Sequence, residues 1–261
     1  MSGYSLRGLH WFNALSAGAS VVEGLPPSLK VADAELGRFI AVVADPDNRF
    51  SRARNGGVGL LEGWGLAKAV DDAISADRDN AKKRPIIAIV DVPSQAYGRR
   101  EEALGIHQAL AGAADSYARA RLAGHPVIAL LVGKAMSGAF LAHGYQANRL
   151  IALRDPGVMV HAMGKASAAR VTLRSVEELE ALAASVPPMA YDIDSYASLG
   201  LLWETLSVQQ IEQPTAEDLA RVSECLKQAI SDVTSTDLKG RLGASNRAAS
   251  SRVRELLRAQ W

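Results

Sequence analysis

The sequence predicts an α/β protein in which short, mostly parallel strands alternate with longer helices. Three observations predict it. Apolar runs rich in Val and Ile recur at residues 39–44, 85–92, 127–132, 149–153 and 158–161, and read as buried strands. Longer stretches between them space their apolar residues as one face of a helix. The order strand, helix, strand, turn, helix, strand is that of stacked parallel units joined by right-handed crossovers.

Taken in order, strand 39–44 leads to residues 61–76, where Leu61, Trp64, Leu66, Ala67, Val70 and Ile74 fall near helical spacing and the charges take the other side. After strand 85–92, Ala103, Ile106, Leu110, Ala113 and Tyr117 trace a stripe at spacings of three and four, which predicts one helix over 101–122. Strand 127–132 runs into small residues over 133–139 and then an apolar helix starting near Phe140. The last third is mostly helical, with helices expected over 175–184, 194–201, 216–230 and 247–261. Ser175 followed by Glu178 fits a capping box. Pro187, Pro188 and Pro214 punctuate these helices, and no Gly/Ser linker or charge block marks a boundary. One domain over 1–261 is expected, with an N-terminal extension over 1–36 and a helical C-terminal region over 175–261.

Composition narrows the function classes. The chain has 29 Lys and Arg against 28 Asp and Glu, a formal net charge of +1, so it lacks the basic surplus that a nucleic-acid footprint requires. Hydrophobic residues at 48% and charged residues at 22% are the proportions of a globular protein with a full core. The only cysteine, Cys225, cannot form an internal disulfide and reads as a small apolar packing residue. No metal site is read from the sequence. The opening residues put His10 and Trp11 where an export signal would have a continuous apolar stretch. Lys134 and Arg149 bracket the most apolar stretch, so no window reaches the roughly 18 uncharged residues of a membrane span. A cytoplasmic protein is expected.

Two turns carry the candidate chemistry. Gly133-Lys134-Ala135-Met136-Ser137-Gly138-Ala139 joins a strand to a helix, where small residues leave backbone N–H groups free to point at a ligand and the helix N-terminus adds a positive partial charge. Such a turn can hold an oxyanion. By itself it reads equally well as a tight connection that small residues permit. The second turn, Pro93-Ser94-Gln95-Ala96-Tyr97-Gly98, follows strand 85–92. Neighbouring strands would bring both turns to the sheet edge where α/β proteins bind ligands.

The run Asp91 to Gly98, then Glu101-Glu102 and Gly105, then His125-Pro126-Val127-Ile128, then Gly133 to Ala139, resembles the alpha carboxyltransferase subunits of acetyl-CoA carboxylase, a family with the crotonase fold. Order and spacing match, although Ala135, Met136 and Ala139 stand where that family has glycine. The resemblance extends through Val158-Met159-Val160-His161-Ala162-Met163-Gly164 and covers residues 38–240. Gly8-Leu9-His10-Trp11, the chain length and the text around Ser137 are similar, more closely still, to the malonate decarboxylase gamma subunits. That resemblance implies a partner beta subunit and a malonyl thioester carried by an acyl carrier protein, decarboxylated to acetyl thioester and CO2 without a directly bound cofactor. It implies backbone donors at Gly138, with Ser137 and Ala139 beside it. Ser94, Gln95 and Tyr97 would line the facing wall, and Met163 and Gly164 would close the pocket. His161 and His143 are candidate acids for the enolate. Arg52, Arg54, Arg99 and Arg100 read either as a grip on the phosphates of the carrier's arm or as a solvated basic face.

Three other readings fit parts of the sequence. A carboxyltransferase subunit would pass the malonyl carboxyl group to biotin. The text around Ser137 and His161 also resembles Clp-type serine peptidases, in which that pair would be nucleophile and base. A non-catalytic interaction subunit is the third.

Overall fold

Buried parallel strands form the centre of the molecule, and the sheet extends beyond them on both sides. The computed structural model describes residues 3–242 and 244–261. Helix α1 (Arg7–Leu15) precedes an antiparallel meander of β1 (Ser20–Val21), β2 (Leu29–Ala34) and β3 (Gly37–Val42). Helix α2 (Leu60–Ala76) crosses to β4 (Ile86–Val92), parallel to β3. Two helices, α3 (Arg99–Ala103) and α4 (Ile106–Leu122), lead to β5 (Val127–Met136), parallel to β4. Then come α5 (Ser137–Ala142), β6 (Arg149–Leu153) and β7 (Met159–His161). The C-terminal third adds α6 (Lys165–Thr172), α7 (Val176–Ala183), α8 (Ile193–Ser198), β8 (Glu204–Leu206), α9 (Ala216–Ser231) and α10 (Ala248–Gln260). The sheet order is β1-β2-β3-β4-β5-β6-β8, with β7 paired to the far half of β5.

Every residue of β3 and β4 is buried, as are all those of β5 except Lys134. Strands covered on both faces need no polar alternation, which is why these runs are almost continuously Val, Ile, Leu and Ala. On one side α2 and α4 pack in close contact. A Cβ on Gly63 of α2 would lie 2.8 Å from the carbonyl carbon of Ala109 on α4, and Gly112 of α4 faces the ring of Trp64 in the same way. These glycines let the helices approach to backbone contact.

The structure departs from the sequence reading in four places. The stretch expected as an N-terminal extension over 1–36 contributes to the core and the sheet: Trp11 of α1 is fully buried and donates its Nε1–H to Ile211 O at 2.8 Å, and β1 and β2 build the sheet edge. The helix expected over 101–122 is interrupted at Gly105, whose φ of 85° ends α3 and caps α4. Short α6, which buries only Ala168 and Ala169, has too little apolar stripe to be seen in sequence. Strand β5 continues through Met136 instead of turning at Gly133. The Ser175 capping box is present, its hydroxyl accepting from Glu178 N and the Glu178 carboxylate accepting from Ser175 N. Cys225 is buried on α9, where burial pushes its thiol up to about 11.

Candidate active site

The site begins with a bulge in β5. Val90 pairs with Leu131 and Val92 with Ala135, so between these pairs one residue of β4 stands against three of β5. Asp91 fills the irregularity. Its buried carboxylate accepts from Lys134 N at 3.1 Å and from Gly8 N at 3.2 Å, groups that the register shift and the start of α1 leave without a strand or helix partner. A Cβ on Gly133 would lie 2.0 Å from Asp91 Oδ1, so only glycine admits this carboxylate. Beyond the bulge β5 leaves β6 and pairs with β7, placing Met136 opposite His161.

The turn is therefore a single residue. Ser137 has φ 60°, a left-handed conformation that costs a non-glycine residue about 1–2 kcal/mol, and α5 starts at once. Its Oγ–H donates to Gln95 Oε1 at 2.8 Å, and Gly138 N–H donates to the same oxygen at 2.6 Å. The expectation of an unpaired amide at residue 138 is thereby corrected. A half-buried N–H at a helix start requires an acceptor, and the Gln95 side chain supplies one from the facing turn. That turn is held in place by Val58, which donates to Ser94 O at 3.1 Å and accepts from Ala96 N at 2.8 Å. The turn thus holds one carbonyl-type oxygen with two donors, a backbone N–H and a hydroxyl.

Beside this turn lies a cavity of about 430 Å³ whose lining includes Ser137, Gly138, Phe140, Tyr145, His161 and Tyr196. The structure brings Gln95 to Ser137 and Gly138, while Ser94, Tyr97, Met163 and Gly164 are not part of the lining. Tyr97 is half exposed and its hydroxyl meets Glu102. Met163 acts from behind through its carbonyl, which accepts from Tyr191 Oη at 2.7 Å and lies 2.9 Å from His161 Nδ1, and Gly164 caps α6. Ala139 is fully buried.

The histidines differ in kind. His161 stacks on Tyr191 at 3.9 Å and an interplanar angle of 12°, and burial pushes its pKa down. Ser137 bonds to Gln95 and His161 Nδ1 lies against Met163, so no serine–histidine hydrogen bond of the hydrolytic kind is formed among the described residues. His143 is fully buried with both ring nitrogens engaged, Nε2 against Ile89 O at 2.9 Å and Nδ1 against Tyr117 Oη at 3.0 Å, which makes it a packing residue. Arg54 bonds to Asn48 O and Arg100 lies over the Phe50 ring; neither they nor Arg52 and Arg99 form an ion pair among the described residues. Among those residues no group of three His, Cys, Asp or Glu side chains could hold a metal ion, and no helix is long and apolar enough to cross a membrane.

The sequence reading missed Asp91 as the filler of the bulge, and Tyr145 and Tyr196 as walls of the cavity. Asp91 carried a signal, an acidic residue inside an apolar strand ahead of Val-Pro. The tyrosines carried none, because their meeting with Ser137 depends on how helices far apart in the chain pack.

A parallel-rich sheet whose bulged central strand ends at the Ser137 hydroxyl and the Gly138 N–H beside an apolar cavity has the fold of transcarboxylase 12S. The family model described as malonate decarboxylase gamma subunit matches residues 53–261, and the chain belongs to that family. A chain in the crystal structure of a Pseudomonas malonate decarboxylase hetero-tetramer in complex with coenzyme A is 73% identical with a TM-score of 0.94, over 98% of this chain and 99% of that one. A chain of the Pseudomonas malonate decarboxylase MdcD-MdcE hetero-dimer is 69% identical with a TM-score of 0.90, at the same coverage. The malonyl-S-ACP:biotin-protein carboxyltransferase of Malonomonas rubra is 32% identical over 85% of this chain and 77% of its own length. Transcarboxylase 12S, at 20% identity and a TM-score of 0.62 over 88% of this chain and 42% of that one, shares the fold.

Proposed function

We propose that this chain pairs with a beta subunit and contributes one half of the site that decarboxylates a malonyl thioester carried by an acyl carrier protein. The observation that carries this reading is the match to the malonate decarboxylase gamma subunits over residues 53–261. The identity of 69% to a chain of a malonate decarboxylase hetero-dimer supports the pairing.

Loss of CO2 leaves the electron pair of the broken bond on the thioester as an enolate, and preorganised N–H donors stabilise that charge, each worth about 10²–10³ in rate. In this chain the Gly138 N–H, with the Ser137 hydroxyl beside it, is the donor pair. Gln95 Oε1 holds both donors in the free subunit and gives way to the substrate oxygen. Exchanging one carbonyl-type oxygen for another keeps both donors satisfied throughout. The acyl group occupies the adjoining cavity, and the carrier's prosthetic arm is the only cofactor the reaction uses.

The test is CO2 release from malonyl carrier protein by this chain purified with its beta subunit, with and without avidin. Turnover that avidin leaves intact is the expected result. Transfer of the carboxyl group to biotin is the second reading, favoured by the Malonomonas rubra relative, and it requires avidin to block the activity. Full activity of the beta subunit alone would reduce this chain to an interaction subunit.

A further inference from the structure

Hydrogen bonds at the end of β7 decide where His161 carries its proton. The Met163 N–H has a single acceptor among the described residues, His161 Nδ1 at 3.1 Å. The Met163 carbonyl, 2.9 Å from the same nitrogen, is already served by Tyr191 Oη at 2.7 Å. Satisfying the amide therefore requires Nδ1 to accept, and in a neutral imidazole this puts the proton on Nε2. Nε2 has no partner among the described residues and, unlike Nε2 of His125, is not sealed inside the fold. Tyr191, stacked on the ring at 3.9 Å, fixes its plane, and Val160 N–H of β7 holds Tyr191 through its carbonyl at 3.0 Å.

The pairing of β7 with β5 sets His161 opposite Met136, one residue before the Ser137 turn, and His161 lines the same cavity as Ser137 and Gly138. Ser137 Oγ–H and Gly138 N–H converge on Gln95 Oε1, and His161 makes no bond to that oxygen. A malonyl thioester has two polar ends. With its carbonyl oxygen at the Ser137 turn, the end left for Nε2–H is the carboxylate. The cavity lining contains no Arg, Lys, Asp or Glu, and burial disfavours the imidazolium, so the only nitrogen donor that a side chain of this lining offers is uncharged.

Resting on the function proposed above, we propose that His161 binds the malonyl carboxylate through its Nε2–H and sets the direction of the bond that breaks. The bond between the α-carbon and the carboxylate must stand across the plane of the thioester, so that its electron pair passes into the enolate as CO2 leaves. An uncharged donor suits this step. Negative charge departs from the carboxylate in the transition state, so a fixed cation beside it would stabilise the starting state more than the transition state and slow the reaction. A neutral N–H orients the same group with less of that opposition than Lys or Arg would impose.

The test is a pair of variants of opposite design in the beta–gamma complex, assayed on malonyl carrier protein. His161→Asn keeps an acceptor at the place of Nδ1 and has nothing at Nε2, whereas His161→Gln puts an N–H near Nε2 and gives up the acceptor. His161→Asn is expected to lower kcat/KM by about 10-fold or more, the loss typical of one hydrogen bond to a charged group, and His161→Gln to stay within about threefold of the wild type. Affinity for acetyl carrier protein, which lacks the carboxylate, should be unchanged in both. The reverse order, with His161→Asn active and His161→Gln impaired, would mean that the ring only supports the Met163 turn and would overturn the proposal. So would equal loss in both, as for a proton donor, full activity in both, or weakened binding of acetyl carrier protein. A wild-type complex that releases no CO2 overturns the functional reading, and this inference with it; an active wild type with any of those outcomes overturns this inference alone.

Discussion

At the scale of single residues, the function proposed here makes the Gly138 amide the donor that this chain brings to the chemistry. Replacing it with proline removes the N–H, while proline is tolerated in the first turn of a helix. Gly138→Pro is expected to lower kcat for CO2 release by about 10²–10³-fold with the complex still assembled, the loss typical of one oxyanion donor. Unimpaired turnover would remove Gly138 from the site. His143 makes a separate prediction. Its Nε2–H donates to the Ile89 carbonyl and its Nδ1 accepts from Tyr117, and burial holds its pKa down at about 4 against an ordinary 6.5. The unfolded chain therefore binds a proton below pH 6.5 that the folded chain refuses. The contribution of neutral His143 is complete above that pH and is lost as pH falls toward 4, by an amount on the order of 3 kcal/mol. Urea midpoints should fall over this range more steeply in the wild type than in His143→Leu, and parallel curves would contradict the assignment.

At the scale of elements, the bulge in β5 positions everything downstream of it, and Gly133 is its weakest point. A methyl group there meets the buried Asp91 carboxylate, which cannot retreat without giving up Lys134 N and Gly8 N. Gly133→Ala is expected to cost about 3 kcal/mol, at the upper end of overpacking penalties. Adding Asp91→Ala should make the double variant less destabilised than the two single changes sum to, because the residues are in contact. Thermal melts of the four proteins check this, and strict additivity would refute the clash. The sequence disclosed β4 and β5 because buried parallel strands are written as unbroken apolar runs. It could not disclose the bulge, because a register shift is a relation between two strands and leaves no period in either. The same limit hid the single-residue turn at Ser137, where a β-strand extends into text that reads as a loop of small residues. Gly105 and Gln95 were in view, but only the folded chain reveals that one breaks a helix and the other reaches across to Gly138.

At the scale of the whole molecule, the apolar stripe of α10 remains without a cover. No residue of this helix is buried, and Val253, Leu256 and Leu257 are exposed together with little in the chain packed against them. A helix of 13 residues is marginal by itself in water, so its amphipathic pattern requires packing against another surface. Periodicity announced this helix from the sequence, yet periodicity never says which molecule supplies the other surface. Under the pairing proposed here the beta subunit supplies it. Leu256→Asp with Leu257→Asp should then leave the Tm of the isolated chain unchanged, since no buried contact is lost. The same pair of changes should weaken association with the beta subunit at least tenfold, or about 1.4 kcal/mol, in a titration by calorimetry. Undiminished affinity would put the beta subunit on a different face, while a lowered Tm would mean that α10 already packs against its own chain.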